Sequence, residues 1–254
     1  MLRTRVIPVL LLKNNGLVKT IKFKKNQYIG DPINAIKIFN EKEVDELIFL
    51  DIEATKHNKE PNYEIIKSIA SECFMPVCYG GGITTVEQIK KIFQLGIEKV
   101  SLNSSILNKT DLLKHAVEAF GSQSIVVSVD VKKNLFGKYC LYNHVRKKIE
   151  KVNLNEYLKK IEEMGAGEIL LNNVDLDGTQ LGYDVELIKY VINDLNVPMI
   201  YCGGAKDLSD FKVAKELKVS GVAAGSMFVF HGKHKAVLIT YPAYKKLKIL
   251  FEES

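Results

Sequence analysis

The sequence has 254 residues, of which 46% are hydrophobic and 26% charged, and this length suits one eight-stranded α/β barrel or two small domains. The apolar share excludes intrinsic disorder, and no apolar run approaches the ~18–20 residues that a membrane span needs. The net charge of +6 is mild and suits anionic small molecules, while the lack of Trp and of any RNA-binding signature argues against nucleic acid.

The cysteines, the histidines and the amino terminus bear on compartment and cofactor. Four cysteines are scattered without metal-binding spacing, as expected in a reducing cytosol, and the five histidines share no metal spacing either. The first residues lead into a strand-like run without a signal-peptide cleavage pattern. We therefore expect a cytoplasmic protein that needs neither metal nor cofactor and binds no membrane.

Short apolar runs rich in β-branched residues predict eight strands. Their apolar character is continuous rather than alternating, which is typical of parallel strands buried on both faces. In chain order the predicted strands cover residues 5–12, 46–52, 76–79, 99–102, 124–131, 168–172, 198–201 and 221–224.

A helical pattern follows each predicted strand. These patterns cover residues 33–42, 63–73, 85–95, 110–120, 154–164, 184–195, 208–217 and 244–253. Helix start signals lie at residues 84–87, 108–111 and 207–210. Glycines that favour a left-handed cap follow helices at Gly96, Gly165 and Gly167. The alternation predicts a single (β/α)8 barrel over residues 1–254, to which residues 138–143 add a small hairpin.

An internal repeat relates the two halves of the chain. A shift of 122 residues places the glycine cluster at 79–82 on the cluster at 201–204. The first strand needs a shift of 119, which places Leu11 where the second half has Asp130. The predicted half-barrels are roughly residues 1–122 and 123–254.

Glycine loops and small polar loops stand at predicted strand ends, where backbone N–H groups and helix N-termini suit phosphate. The repeat gives each half one loop of each kind, so two sites face each other across the barrel mouth. We predict a small-molecule ligand with a phosphate at each end; the alternative is that the glycines only make tight turns. The predicted phosphate-binding residues are Gly81, Gly82, Asn103, Ser104, Gly203, Gly204, Gly225 and Ser226.

Aspartates at the same strand ends are candidates for proton transfer and substrate contact. Asp130 ends the fifth predicted strand, where a carboxylate serves as general acid or base; the alternative is a loop aspartate that pairs with Lys132 or caps a helix. Substrate contacts are also predicted for Asp51, Asp177, Gly178 and Thr179. The last three residues suit a turn equally well.

Four charged residues stand at the amino-terminal ends of predicted strands, and they are Arg5, Glu46, Lys99 and Glu168. Two cations and two anions near a barrel axis would pair and plug its bottom. From spacing alone, ordinary solvated charge at strand ends is the alternative.

Together these residues resemble the cyclase subunit of imidazole glycerol phosphate synthase over essentially the whole chain. The stretches that carry the resemblance are residues 30–32, 45–52, 80–83, 99–103, 120–123, 165–171 and 177–179. The resemblance implies a lyase-type synthase subunit that binds a bis-phosphorylated ribulosyl substrate across its mouth. It also implies a glutamine amidotransferase that docks at the amino-terminal face and sends ammonia up the barrel interior, past a gate formed by the four charges.

Two departures from the family pattern fall at the catalytic face. The family's reaction uses two aspartates, and the first of them is Leu11 here, which cannot exchange a proton. The family's glycine- and threonine-rich loop after strand five is replaced by residues 143–149. We therefore expect an altered substrate with retained ammonia handling, and no ordinary cyclase activity.

The chain resembles a second-copy branch of the family that is associated with amidation of N-acetyl sugars of surface polysaccharides. The stretches that resemble this branch are residues 7–12, 73–76, 130–137 and 228–232. The branch implies that ammonia converts an acetamido group to an acetamidino group, together with an ATP-using amidotransferase. Two alternatives stay open: a histidine-pathway cyclase in which Asp51 or Asp175 replaces the missing acid, and a non-catalytic scaffold that only activates the glutaminase.

Overall fold

Eight parallel strands close into a barrel in the computed structural model, which describes residues 3–107 and 111–252. The strands pair in chain order, and the last returns to the first through the register pair Arg5↔Gly221. The prediction of a single (β/α)8 barrel is therefore confirmed. The barrel strands are β1 (Arg5–Lys13), β2 (Leu47–Asp51), β3 (Val77–Gly80), β4 (Lys99–Leu102), β5 (Ile125–Lys133), β6 (Glu168–Asn173), β7 (Met199–Cys202) and β8 (Gly221–Ala224).

Helices connect the strands, and each lies within a few residues of its predicted range. They are α1 (Pro32–Glu41), α2 (Tyr63–Glu72), α3 (Val86–Gln94), α4 (Asp111–Phe120), α5 (Leu154–Glu163), α6 (Val185–Ile192), α7 (Leu208–Glu216) and α8 (Tyr244–Glu252). One-turn helices at Ser104–Leu107 and Ser226–Val229 follow β4 and β8. The predicted start signal at 108–111 lies, except for Asp111, outside the described residues, as does residue 253.

Side-chain caps fix where two of these helices begin. Thr85 and Gln88 form a reciprocal capping box at α3, and Asp207 and Asp210 form another at α7. Each box satisfies backbone N–H groups that the first turn of a helix leaves without an intrahelical partner. Both predicted start signals in the described part of the chain are therefore confirmed.

The glycines after helices have two different structural reasons. Gly96 and Gly165 have φ of 101° and 92°, the left-handed conformation expected of a cap. The same prediction for Gly167 is wrong, because its φ is not positive. A Cβ on Gly167 would lie 1.9 Å from the carbonyl oxygen of Ser122, so glycine is needed there for a close backbone approach.

Two hairpins extend the barrel at its carboxyl end. The mouth hairpin, Gly16–Ile21 with Lys24–Gly30, pairs with the end of β1 and was not predicted. Its outer strand is almost wholly exposed and therefore carries no apolar pattern. Its turns use non-glycine residues with positive φ, namely Asn14, Asn15, Lys22 and Phe23. The second hairpin is the predicted one: Tyr139–Asn143 runs antiparallel to β5.

Apolar side chains fill both faces of the barrel sheet. The larger cluster packs between strands and helices, and a smaller one fills the barrel interior around Ile7, Ile48 and Val126. Burial of such surface, at about 25 cal/mol per Å², is the main driving force for closing the barrel. Within the described residues, no helix is both long and apolar enough to cross a bilayer.

Candidate functional site

A cavity of ≈ 630 Å³ opens at the carboxyl ends of the barrel strands, the end where barrel enzymes place their active sites. Strand-end loops and the mouth hairpin form its wall. The sequence-predicted residues that line it are Leu11, Asp51, Gly81, Gly82, Asn103, Ser104, Asp130, Asp177, Gly178, Gly203, Gly204, Gly225 and Ser226. Thr179 does not line it, because its hydroxyl donates to the carbonyl oxygen of Leu176 (2.7 Å) within its own turn.

Close backbone packing accounts for the two glycine loops. A Cβ on Gly81 would lie 2.4 Å from the carbonyl oxygen of Asp51, and one on Gly203 would lie 2.5 Å from that of Asn173. Both glycines also have positive φ, +116° and +100°. The two loops are therefore alike in geometry as well as in sequence. Their role in binding phosphate stays a prediction.

Asp130 is the centre of a buried polar network. The residue is 4% exposed; its Oδ2 accepts a hydrogen bond from Asn103 Nδ2 (2.9 Å) and lies 3.0 Å from His144 Nδ1. The second ring nitrogen of His144, Nε2, lies 3.3 Å from Ser104 Oγ. The alternative that Asp130 pairs with Lys132 is wrong, because Lys132 Nζ lies 3.3 Å from Asp175 Oδ1. Sequence reasoning noted the altered loop but missed His144 as a site residue.

Leu11 faces the same cavity from the end of β1. It lies opposite Leu50 in the pairing of β1 with β2 and packs against the apolar interior. Of the carboxylates named as replacements, Asp51 lines the cavity but accepts the backbone N–H groups of Glu53 and Ala54 at 2.9 and 3.0 Å. Asp175 does not line the cavity. The position of the missing acid is therefore apolar, and the Asp51 carboxylate is already hydrogen-bonded to the loop that follows it.

Lys19 is a buried cation that sequence reasoning missed. It comes from the mouth hairpin, and its Nζ donates to the carbonyl oxygen of Val9 beneath the cavity. Burial lowers the pKa of Lys19 to about 8, against the opposing effect of Asp177. Burial raises the pKa of Asp177 to about 6, against the hydrogen bond from Thr20 Oγ1 (3.0 Å) and the charge of Lys19. A lysine inside the apolar run at 17–21 was the available signal.

We expect Lys19 to make the stability of the protein depend on alkaline pH. Its pKa is about 8 in the fold and 10.5 ordinarily, so between these values the unfolded chain binds more protons. The free energy of unfolding should therefore rise across this range by up to about 1.4 kcal/mol per pH unit. Urea denaturation of the wild type and of Lys19→Met at a series of pH values checks this. Parallel curves for the two proteins would contradict it.

Asn172 adds a second group that sequence reasoning missed. It lies on β6 opposite Asp130 of β5 and lines the cavity. Its Oδ1 is buried and has no hydrogen-bond partner among the residues that the structure describes. A buried amide oxygen left without a partner costs about 1–3 kcal/mol, so a donor on a bound molecule is the natural partner for it.

The four charged residues at the strand starts form one alternating ring at the bottom of the barrel. The Arg5 guanidinium donates to Glu46 and Glu168, and Lys99 Nζ lies 3.1 Å from a carboxylate oxygen of each. Glu46 is 1% exposed and Glu168 is 7% exposed. The interpretation as solvated surface charge is therefore wrong. Their role as an ammonia gate stays a prediction.

Burial and pairing act in opposite directions on the pKa values of this ring. Burial lowers the pKa of Arg5, but the carboxylates of Glu168 and Glu46 outweigh it, and the pKa is raised. The pKa of Lys99 is raised in the same way. Burial raises the pKa of Glu46 against the lowering effect of Lys99 and Arg5. Both cations are therefore held in their charged form by the two carboxylates.

Comparison with known proteins gives one consistent family. The profile of the family described as histidine biosynthesis protein matches residues 5–235. A Pseudomonas aeruginosa protein provisionally named imidazole glycerol phosphate synthase subunit hisF2 is 52% identical over 98% of this chain and its own full length. A Vibrio vulnificus protein provisionally named subunit hisF3 is 50% identical over 99% of this chain and 98% of its own. Subunit HisF of imidazole glycerol phosphate synthase from Streptomyces coelicolor is 37% identical over 90% of this chain and 91% of its own.

Proposed function

This chain belongs to the family of imidazole glycerol phosphate synthase cyclase subunits, and from that premise we propose that it receives ammonia from a glutaminase partner and delivers it to an N-acetyl sugar. Subunits of this family pair with a glutaminase. The ammonia converts an acetamido group to an acetamidino group in surface polysaccharide synthesis. An ATP-using amidotransferase acts in the same reaction sequence.

One observation carries this proposal. The ring of four charged residues at the bottom of the barrel is complete, whereas the mouth lacks one of the family's two aspartates. Arg5, Glu46, Lys99 and Glu168 are all present and paired, so the end that would admit ammonia keeps its charged plug. At the other end Leu11 stands where the family's first aspartate is expected. A charged ring that is kept and an acid–base set that is altered together support the proposal that the ammonia goes to a different acceptor.

The mouth supports a phosphate-bearing acceptor. The cavity is lined by both glycine loops and by Ser104 and Ser226, and seven lysines line it as well: Lys19, Lys22, Lys24, Lys25, Lys56, Lys132 and Lys147. Such a wall suits an anionic ligand, because opposite charge attracts it and backbone N–H groups bind its oxygens. A sugar carried on a phosphate or nucleotide has this chemistry.

We expect the purified chain to form a complex with its cognate glutaminase and to stimulate glutamine hydrolysis. With amide-¹⁵N glutamine, the label should then appear in an N-acetyl sugar nucleotide in the presence of the ATP-using amidotransferase. Ammonium salt in place of glutamine serves as the control for transfer without the partner. If no complex forms and glutamine hydrolysis is not stimulated, the proposal is wrong.

A histidine-pathway cyclase is the second candidate, and Asp130 favours it, because this acid and both glycine loops are retained at the mouth. The assay is turnover of the ribulosyl bis-phosphate substrate with ammonium salt. Turnover that Asp130→Asn abolishes supports this candidate, and no turnover excludes it. A scaffold that only activates the glutaminase predicts that Asp130→Asn leaves the output of the complex unchanged.

A further inference from the structure

We propose that His144 and Asp130 together form the proton-transfer unit of the barrel mouth, with Nε2 of His144 as the atom that accepts the proton from incoming ammonia. This proposal rests on the proposed function, because it assigns the chemistry at the end of the ammonia path. The pair would transfer protons at a mouth where Leu11 stands in place of an acid.

The geometry resembles the carboxylate–imidazole pair of hydrolytic enzymes. Asp130 Oδ2 lies 3.0 Å from Nδ1 of His144, and it accepts a hydrogen bond from Asn103 Nδ2 at 2.9 Å. A carboxylate on Nδ1 fixes the neutral ring in the tautomer whose Nε2 carries the lone pair. The His144 side chain is 24% exposed, whereas that of Asp130 is 6% exposed, so the imidazole is the more accessible of the two.

His144 has two neighbours that also line the cavity, Ser104 and Phe23. Ser104 Oγ lies 3.3 Å from Nε2 of His144, next to the loop predicted to bind phosphate. The ring of Phe23, from the mouth hairpin, meets the imidazole edge-on with centroids 6.3 Å apart. Both neighbours and His144 line the cavity, so a ligand held at the Ser104 loop would lie against Nε2.

The proton transfer needs no reactant other than ammonia and the acyl group. The ammonia lone pair forms a bond to an acyl carbonyl carbon, and the C=O π pair moves onto oxygen. One N–H bond of the resulting ammonium group breaks; its electron pair stays on nitrogen and its proton passes to Nε2 of His144. Asp130 stabilises the imidazolium, which then gives the proton to the alkoxide oxygen. The product is the neutral amino-alcohol adduct, and His144 returns to its starting state.

Other charged groups near His144 do not duplicate this role. Besides Asp130, the charged residues that line the cavity with it are Asp51, Asp177, Lys19, Lys22, Lys24, Lys25, Lys56, Lys132 and Lys147. Asp51 accepts the backbone N–H groups of its own loop, and Asp177 accepts the hydroxyl of Thr20. Ammonium groups do not accept protons while charged. Lys19, with a pKa of about 8, titrates above the range in which imidazoles lose their proton. Asp177, with a pKa of about 6, titrates within that range. The contributions of Lys19 and Asp177 are common to the wild type and to His144 variants, so a difference between their pH profiles isolates the imidazole.

The activity test compares His144→Gln with His115→Gln, an exposed histidine on α4. In the glutaminase complex with amide-¹⁵N glutamine, His144→Gln should lower kcat for transfer by about 10²–10⁴-fold and remove the contribution of the imidazole to the pH profile. His115→Gln should match the wild type. Free imidazole should partly restore transfer in His144→Ala, because a small base can occupy the vacated space. A His144→Gln variant with wild-type kcat and pH profile overturns the proposal.

Two measurements keep this test separate from that of the proposed function. Ring-nitrogen NMR of the free protein should show the neutral ring of His144 protonated at Nδ1 and unprotonated at Nε2, and Asp130→Asn should alter that tautomer preference. An Nε2-protonated ring would overturn the proposal whatever the glutaminase assay gives. Titration of the wild type and of His144→Gln with inorganic phosphate tests whether His144 only contacts the ligand. If His144→Gln weakens phosphate binding and raises KM with kcat intact, His144 is a ligand contact and the proton-transfer role is excluded.

Discussion

Glu46→Ala is expected to lower the free energy of unfolding by about 3 kcal/mol and to uncouple glutamine hydrolysis from ammonia transfer. Glu46 is 1% exposed and accepts hydrogen bonds from both Arg5 and Lys99. Its removal leaves two cations sharing Glu168. Loss of one partner from a buried ion cluster typically costs about 3–5 kcal/mol, and the partial exposure of the cations, 27% and 20%, favours the lower end.

A charge-balanced double variant separates stability from function. Replacing Glu46 with Leu and Lys99 with Met removes one charge of each sign and fills the space with apolar groups, which is often neutral for stability. The urea denaturation midpoint should therefore return towards that of the wild type. Transfer of glutamine-derived ¹⁵N should stay impaired, because the ring stays broken, while transfer from ammonium salt persists. If the double variant restores glutamine-dependent transfer as well, the ring is only a structural plug.

Sequence patterns predicted the barrel because its strands are buried on both faces. A buried run rich in β-branched residues, such as that of β5, is typical of such a strand, and the repeat showed which strand ends correspond. The comparison of Leu11 with Asp130 needed no coordinates, since both end equivalent strands. Spacing alone left solvated charge open for the four residues of the ring at the bottom of the barrel, because spacing along the chain does not show that four strand starts converge on one axis.

The residues that sequence reasoning missed depend on chain segments without a periodic signal. The outer strand of the mouth hairpin is nearly all exposed and polar, and its tip places Lys22 and Phe23 at positive φ, where neither residue type is expected. Lys19 is buried only because this hairpin folds over the mouth. His144 meets Asp130 only because the second hairpin brings its loop back to the end of β5.

Gly178→Ala should lower the free energy of unfolding by about 2–5 kcal/mol and release the mouth hairpin. Gly178 has a φ of +71°, and a Cβ there would lie 2.0 Å from the carbonyl oxygen of Thr20. A left-handed alanine alone costs about 1–2 kcal/mol, and forced overpacking adds about 1–3 kcal/mol. The displaced backbone would also strain two bonds to Asp177: that from Thr20 Oγ1 at 3.0 Å and that from the N–H of Lys22 at 2.9 Å.

Gly137→Ala is the matched control, because Gly137 has nearly the same φ, +77°, but no heavy atom within 4 Å of the added Cβ. It should cost only the conformational part, about 1–2 kcal/mol. Limited trypsin digestion then reports on the hairpin itself: cleavage after Lys24 and Lys25 should accelerate in Gly178→Ala and not in Gly137→Ala. Because the hairpin carries Lys19 and Phe23 into the cavity, ¹⁵N transfer should fall with it while stimulation of the glutaminase at the opposite end persists. Equal denaturation midpoints and equal cleavage rates for the two variants would show that the hairpin does not depend on the close approach at Gly178.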